Sequence, residues 1–146
     1  MKNAMISAEA FLAMGREVLA KQPFSVLIGA ELAALSPGRC ELHVPISDAV
    51  RQQHGFVHGG VLSYAADNAL TYAGGSALQV PVVTSEFKIN YVRPAVGERL
   101  IARAETNHVG KTQAVCRCDV FVSQGGEEKL CAVAQGTIAA LPAKDD

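Results

Sequence analysis

Apolar residues recur along this chain with two different periods, and the change of period marks out its elements. Between Ser7 and Ala20, the residues Ala10, Phe11, Met14, Val18 and Leu19 fall at helical spacing, with Ser7 available as a cap ahead of Glu9. This predicts an amphipathic N-terminal helix within a segment of about residues 1–22. From Leu27 to Ile46 two extended runs flank the turn signal Ser36-Pro37-Gly38, and Cys40, Leu42, Val44 and Ile46 alternate with more polar neighbours. Two strands of a hairpin are expected there.

The next stretch, RQQHGFVHGG, is polar and holds three glycines. Behind it, VLSYAADNALTYAGGSAL places Val61, Leu62, Ala65, Ala66, Ala69, Leu70 and Ala73 so as to make a helix apolar almost all round, a kind that is normally buried. Four strands are then predicted near 81–92, 98–109, 111–124 and 128–141, broken by Pro94 to Gly97, by Gly110 and by Gly125-Gly126, with a tail over 139–146.

Two strands, one buried helix and four more strands predict an α+β fold. A curved antiparallel sheet of about six strands wraps a long central helix, and the N-terminal helix is an addition to it. No run of Pro, Gly or Ser is long enough to act as a linker, so one domain over residues 1–146 is expected. Pairing two such sheets edge to edge would remove exposed edge strands, which argues for a homodimer with twofold symmetry.

Composition sharpens this picture. With 49% of residues hydrophobic and 18% charged, there is more apolar material than a small monomer needs to hide, as a subunit interface would require. A net charge of −1 with scattered basic residues argues against a nucleic-acid surface. Glu9, Arg16 and Glu17 interrupt the apolar N-terminal residues, so neither a signal peptide nor a membrane span is expected, and a cytoplasmic location follows by default. The four cysteines include no C-x-x-C pair; Cys116 and Cys118 would share one face of a strand and pack there. A metal site built on His54 and His58 with Asp67 is disfavoured because Gly55 interrupts any helix that would align the histidines. No metal or cofactor is expected.

Asp67 is the residue that the pattern does not absorb, because it stands in the middle of the apolar helix, where an unpaired carboxylate is costly to bury. It either hydrogen-bonds nearby structure or faces a solvated interface, or it is a carboxylate of raised pKa suited to general-base or nucleophilic work. About two helical turns before it, His58-Gly59-Gly60 would form the helix start. The glycines would let a ligand carbonyl approach free N–H groups there, and the helix dipole adds positive potential where an oxyanion develops. Thr71, one turn beyond Asp67, is a candidate to hold a water.

The segment HGFVHGGVLSYAADNALTYAGG resembles the hotdog-fold thioesterases of the phenylacetate-degradation (PaaI-like) type. The resemblance includes the G-x-x-H-G-G loop, the acid eight residues beyond the first glycine of the pair, the strand V-T-S-E-F-K-I-N-Y-V-R-P-A and the closing A-V-A-Q-G-T. It implies a dimer of helix-and-sheet units, often paired again into a tetramer, with active sites at the interface. It implies hydrolysis of an acyl-CoA thioester, coenzyme A being part of the substrate. The Gly59 amide would polarise the thioester carbonyl, and Asp67 of the partner chain would activate water or attack directly.

By the same resemblance Gln52 stands where many relatives carry Asn, and its amide would donate to the thioester oxygen or hold the water. His58 would orient the loop or the thioester, and Thr84 would direct its hydroxyl toward the acid. Gly60, His54, Arg93, Lys111 and Thr112 are candidates for substrate contact, the basic residues toward CoA phosphates. Tyr64, Tyr72, Phe56 and Phe87 are available to build an aryl-friendly wall. Two other readings compete: a hydratase or dehydratase of the same fold, for which the D-x-N-P-x-H signature is missing, and an acyl-CoA-binding protein without turnover.

Overall fold

The computed structural model describes residues 5–144. Its helices are α1 (Ala8–Ala20), α2 (Pro23–Ile28) and α3 (Gly59–Leu78), and its strands are β1 (Glu31–Ser36), β2 (Arg39–Pro45), β3 (Val82–Tyr91), β4 (Arg99–Val109), β5 (Gln113–Gln124) and β6 (Glu127–Ala140). The strands form one antiparallel sheet in the order β1-β2-β4-β5-β6-β3, so β1 and β3 are its edges. A turn of 3-10 helix, Asp48–Val50, leads into the loop before α3.

The predicted α+β architecture of a long helix against a six-stranded sheet is present. Ser7 caps α1, accepting from the Ala10 N–H at 3.1 Å. Two boundaries differ from the sequence reading. Leu27 and Ile28 belong to α2, not to a strand, because Pro23 starts a helical turn and Gly29, at φ 74°, closes it in the left-handed region. The first strand therefore begins at Glu31. At the other end β6 continues to Ala140, two residues into the expected tail, because it pairs with the start of β3. Residues 1–4 and 145–146 of the expected terminal segments lie outside the described residues.

One side of α3 presses into the concave sheet: Ala65, Ala66, Ala69, Leu70 and Ala73 have no exposed surface. Small side chains bring the helix close to the strands, and at Gly74 an added Cβ would lie 2.6 Å from Ile138 Cβ. Leu42, Val44, Leu100, Val120 and Ile138 complete this layer, each fully buried and each stabilising by roughly 1.5–3 kcal/mol. Cys116 and Cys118 both point into it from β5.

The expectation that α3 is buried all round is corrected. Ser63, Tyr64, Asp67, Asn68, Thr71 and Tyr72 are only half-buried, and they form two polar stripes along the helix. The stripe Tyr64-Asn68-Tyr72 receives α1 and α2. The hydroxyl of Ser25, 1% exposed, bonds Gln22 Oε1 at 2.6 Å and Tyr64 at 2.5 Å, Asn68 donates to Gln22 Oε1 at 3.1 Å and to Tyr64 at 3.0 Å, and Tyr72 donates to the Gly15 carbonyl at 2.8 Å. The stripe Gly59-Ser63-Asp67-Thr71 lies along the edge strand β3.

Among the described residues no helix is long and apolar enough to cross a membrane.

Candidate active site

Edge strand β3 runs beside the second stripe and contacts it at both ends. A β-bulge between Thr84 and Glu86 adds one residue, Ser85, to the strand. Strict alternation would put Thr84 and Tyr91, seven residues apart, on opposite faces of the sheet. The bulge changes the parity, so Val82 and Thr84 face α3 before it, and Phe87, Ile89 and Tyr91 face α3 after it.

At the first end Thr84 Oγ1 donates to Asp67 Oδ1 at 2.5 Å. Thr71 Oγ1 lies 2.9 Å from Thr84 Oγ1 and 2.8 Å from the Asp67 carbonyl. A hydroxyl has one proton, so with Thr84 donating to the carboxylate, the Thr71 proton is shared between Thr84 and the carbonyl. Thr71, Thr84 and Asp67 thus come together, with Thr71 turned to the carbonyl of its own helix. Asp67 is half-buried, and its Oδ2 has no hydrogen-bond partner among the described residues.

At the other end stands the start of α3. His58 caps the helix: its Nδ1 accepts from the Gly60 N–H at 2.9 Å, which makes Nδ1 an acceptor and leaves any proton of the neutral ring on Nε2. The His58 carbonyl takes the Val61 N–H at 2.9 Å and the Leu62 N–H at 3.4 Å. Of the four N–H groups that a helix start leaves over, only that of Gly59 has no acceptor among the described residues. Gly59 lines a cavity of about 360 Å³ together with Gln52, Phe56, Tyr91 and Arg93.

The Gln52 side chain is folded back, its Oε1 accepting from the His54 N–H at 2.5 Å. Because that partner is a donor, the oxygen must face it, and the NH2 end has no acceptor among the described residues. His54 itself is exposed at the loop tip and does not line the cavity. Gly60 gives its N–H to His58, so it is not a second vacant donor.

Lys111 and Thr112 are not brought to Arg93 within one chain. Arg93 follows the end of β3, whereas the Thr112 carbonyl accepts from the Ala140 N–H at 2.8 Å, beside Val82 at the strand's start. Of the four aromatics considered for an aryl wall, Phe56 lines the cavity, Phe87 packs against the core, and Tyr64 and Tyr72 hold the N-terminal helices.

The sequence reading missed Tyr91 and Ser63. The Tyr91 hydroxyl donates to the Gly59 carbonyl at 3.0 Å and sits 2.5 Å from Ser63 Oγ. Ser63 was open to detection, since it lies four residues from both Gly59 and Asp67 on one helical stripe. Tyr91 was not, because the bulge hides its facing from any alternation count.

Residues 54–129 match the family model of the thioesterase superfamily. The fold is shared with a thioesterase family protein of Silicibacter pomeroyi, 40% identical, with a TM-score of 0.82 over 86% of this chain and 94% of that one. It is shared too with a variant of the phenylacetic acid degradation protein PaaI of Thermus thermophilus, 29% identical, with a TM-score of 0.73 over 82% of this chain and all of that one. The 1,4-dihydroxy-2-naphthoyl-CoA hydrolase of Listeria monocytogenes is 25% identical over 77% of this chain and 90% of its own length. The chain belongs to the thioesterase superfamily: it is a thioester hydrolase of the PaaI-like, hotdog-fold type.

Proposed function

We propose that the protein hydrolyses acyl-CoA thioesters at a site shared between two subunits, with the Gly59 N–H stabilising the oxyanion and Asp67 of the partner subunit delivering the attack. The observation that carries this reading is the single helix-start N–H left without an acceptor, at the wall of a cavity. A donor fixed in that way is worth most when charge builds on the carbonyl oxygen. Gln52 lines the same cavity, and its NH2 end would supply a second donor to the thioester or its water.

The need for a second subunit follows from spacing. Gly59 and Asp67 are eight residues apart on one helix, about 12 Å along its axis. Between them on the same stripe stands the Tyr91–Ser63 hydrogen bond. One thioester must lie close to both the donor and the attacking group, which in a single subunit that side-chain pair obstructs. An antiparallel twofold pairing of β3 with its copy would set the Thr84 end of one strand against the Tyr91 end of the other. Asp67 would then approach Gly59 of the partner subunit, and the Lys111-Thr112 turn would approach the partner's Arg93, assembling a basic rim for CoA phosphates. Pairing of two such dimers into a tetramer belongs to the same reading, as does a cytoplasmic setting, in which the four buried thiols stay reduced.

In the reaction, Thr84 holds Asp67 Oδ1 and leaves Oδ2 to take a proton from water as the water attacks the thioester carbon. The carbonyl oxygen gathers negative charge at the Gly59 N–H. The C–S bond then breaks, and the CoA thiolate leaves with the acid as the other product. No further cofactor enters this reaction.

The test is thiol release across a panel of acyl-CoAs of differing length and aromaticity, with wild type and Asp67→Asn side by side. Wild-type turnover on at least one thioester, lost in the variant by about a thousandfold at unchanged thermal stability, is the expected result. Turnover that survives in Asp67→Asn would remove Asp67 from the chemistry, and binding without turnover would favour the ligand-binding protein.

A further inference from the structure

A glycine pair at a helix start admits a ligand but is a poor anchor, because each glycine in a helix costs about 1 kcal/mol relative to alanine and leaves the first turn prone to fray. An oxyanion donor has the opposite requirement, since its strength lies in being held in place before the charge develops. In this protein the conflict is met by two side chains that grip one peptide unit. The carbonyl of the Gly59–Gly60 peptide accepts from the Tyr91 hydroxyl at 3.0 Å, and its N–H donates to His58 Nδ1 at 2.9 Å.

Tyr91 has one proton and gives it to the Gly59 carbonyl, so the 2.5 Å contact with Ser63 requires Ser63 to donate to Tyr91. The ring lies against the same glycine, where an added Cβ would be 3.4 Å from the Tyr91 Cζ. Tyr91 is 52% exposed, so its position is not explained by core packing. It also reaches Gly59 only because the bulge at Ser85 sets its side of the strand.

We infer that Tyr91 is a positioning residue for the oxyanion donor: its hydroxyl, held by Ser63, fixes the Gly59–Gly60 peptide and thereby aims the Gly59 N–H into the cavity. This rests on the proposed thioesterase reading. A misplacement of the order of 1 Å at a reacting centre costs up to about a hundredfold in rate. Loss of one restraint of two should cost less.

The experiment is Tyr91→Phe, which removes the hydroxyl and keeps the ring. On whichever panel thioester the wild type hydrolyses best, kcat is expected to fall about tenfold with KM within twofold, because the restraint acts on a group used in the transition state. The second readout needs no turnover: the carbonyl stretch of benzoyl-CoA, labelled with 13C at the carbonyl, bound to Asp67→Asn. A polarising donor lowers that frequency, and adding Tyr91→Phe should bring it back toward the solution value. A kcat equal to wild type, a change confined to KM, or an unmoved carbonyl band would each overturn the inference while leaving the thioesterase intact. If kcat and thermal stability fall together, the carbonyl band decides between a positioning and a structural role. Absence of any wild-type turnover would sink both readings.

Discussion

The hydroxyl of Thr84 donates to Asp67 Oδ1 across 2.5 Å, from an edge strand to the middle of the central helix. The contact occupies one oxygen of the carboxylate and leaves the other without a partner among the described residues. It also ties the acid to the strand through which a second subunit would pair.

Removing that donor should therefore separate orientation from chemistry. Thr84→Val keeps the shape and deletes the hydroxyl, and kcat is expected to fall about tenfold or more, whereas Thr84→Ser should restore most of it. Steady-state kinetics on the two variants checks this. Equal rates for Val and Ser would mean that Thr84 contributes packing alone.

The start of α3 permits an unusually specific deletion. Gly59 is the first helical residue, where proline is well tolerated, and His58 before it has ψ 134°, within the extended range that a residue preceding proline prefers. Gly59→Pro removes the N–H and should cost about 100- to 1000-fold in kcat with little loss of helix stability. Mixing refolded Gly59→Pro with Asp67→Asn, each inactive alone, should restore about a quarter of wild-type activity, since half the dimers would be mixed and each would hold one intact site. No recovery in a sample shown to contain mixed dimers would place both groups in one subunit's site.

How much of this could be read from the residues alone differs from element to element. The Ala and Leu run of α3 and the alternation of β2 and β5 declare themselves, because burial on one side imposes their periods. Helix α2 does not: PFSVLI is as compatible with a strand, and only Pro23 and Gly29 mark its ends. Gly59 and Asp67 were visible as residues out of keeping with their surroundings. Thr84 came from resemblance, and Tyr91 from neither, since a bulge leaves no signature in local composition.

Ser25 is the one buried polar residue among the described residues, and it joins α2 to α3. Ser25→Ala would leave the Tyr64 hydroxyl and Gln22 each short of a partner, and a loss of about 1–3 kcal/mol is expected in urea unfolding. Hydrogen exchange should quicken first in α1 and α2. Loss of protection spread evenly over the sheet would instead make the network part of the core's cooperative unit.

The thiols set an alkaline limit to stability. Burial pushes Cys118 up to about 12 and Cys40 beyond that range, and it raises Cys116 and Cys131 as well. An unfolded thiol releases its proton near about 8.5, so the folded state holds protons that the unfolded state gives up above that pH. Stability should be complete below about pH 8.5 and decline progressively as the pH rises toward 12. Thermal melts across pH 7–10.5, alongside Ellman titration of native and urea-unfolded protein at pH 8, test this; rapid native reaction of all four thiols would contradict it.

The single extra residue at Ser85 has a consequence for how the chain can change. Thr84 meets Asp67 and Tyr91 meets Gly59 from one strand, and the bulge acts as the phase shift that keeps both in step with the helix. Length changes in β3 therefore depend on where they fall: with the bulge in place, one residue gained or lost between Glu86 and Tyr91 swaps the inward and outward sets, while two preserve parity. Losing Ser85 itself would remove the bulge and leave Thr84 and Tyr91 six residues apart in regular alternation, with Phe87, Ile89 and Tyr91 still facing inward. Lineages of this sequence should therefore lose Ser85 more readily than any residue from Glu86 to Tyr91, and should keep Gly125 and Gly126, whose φ values of 58° and 82° favour glycine.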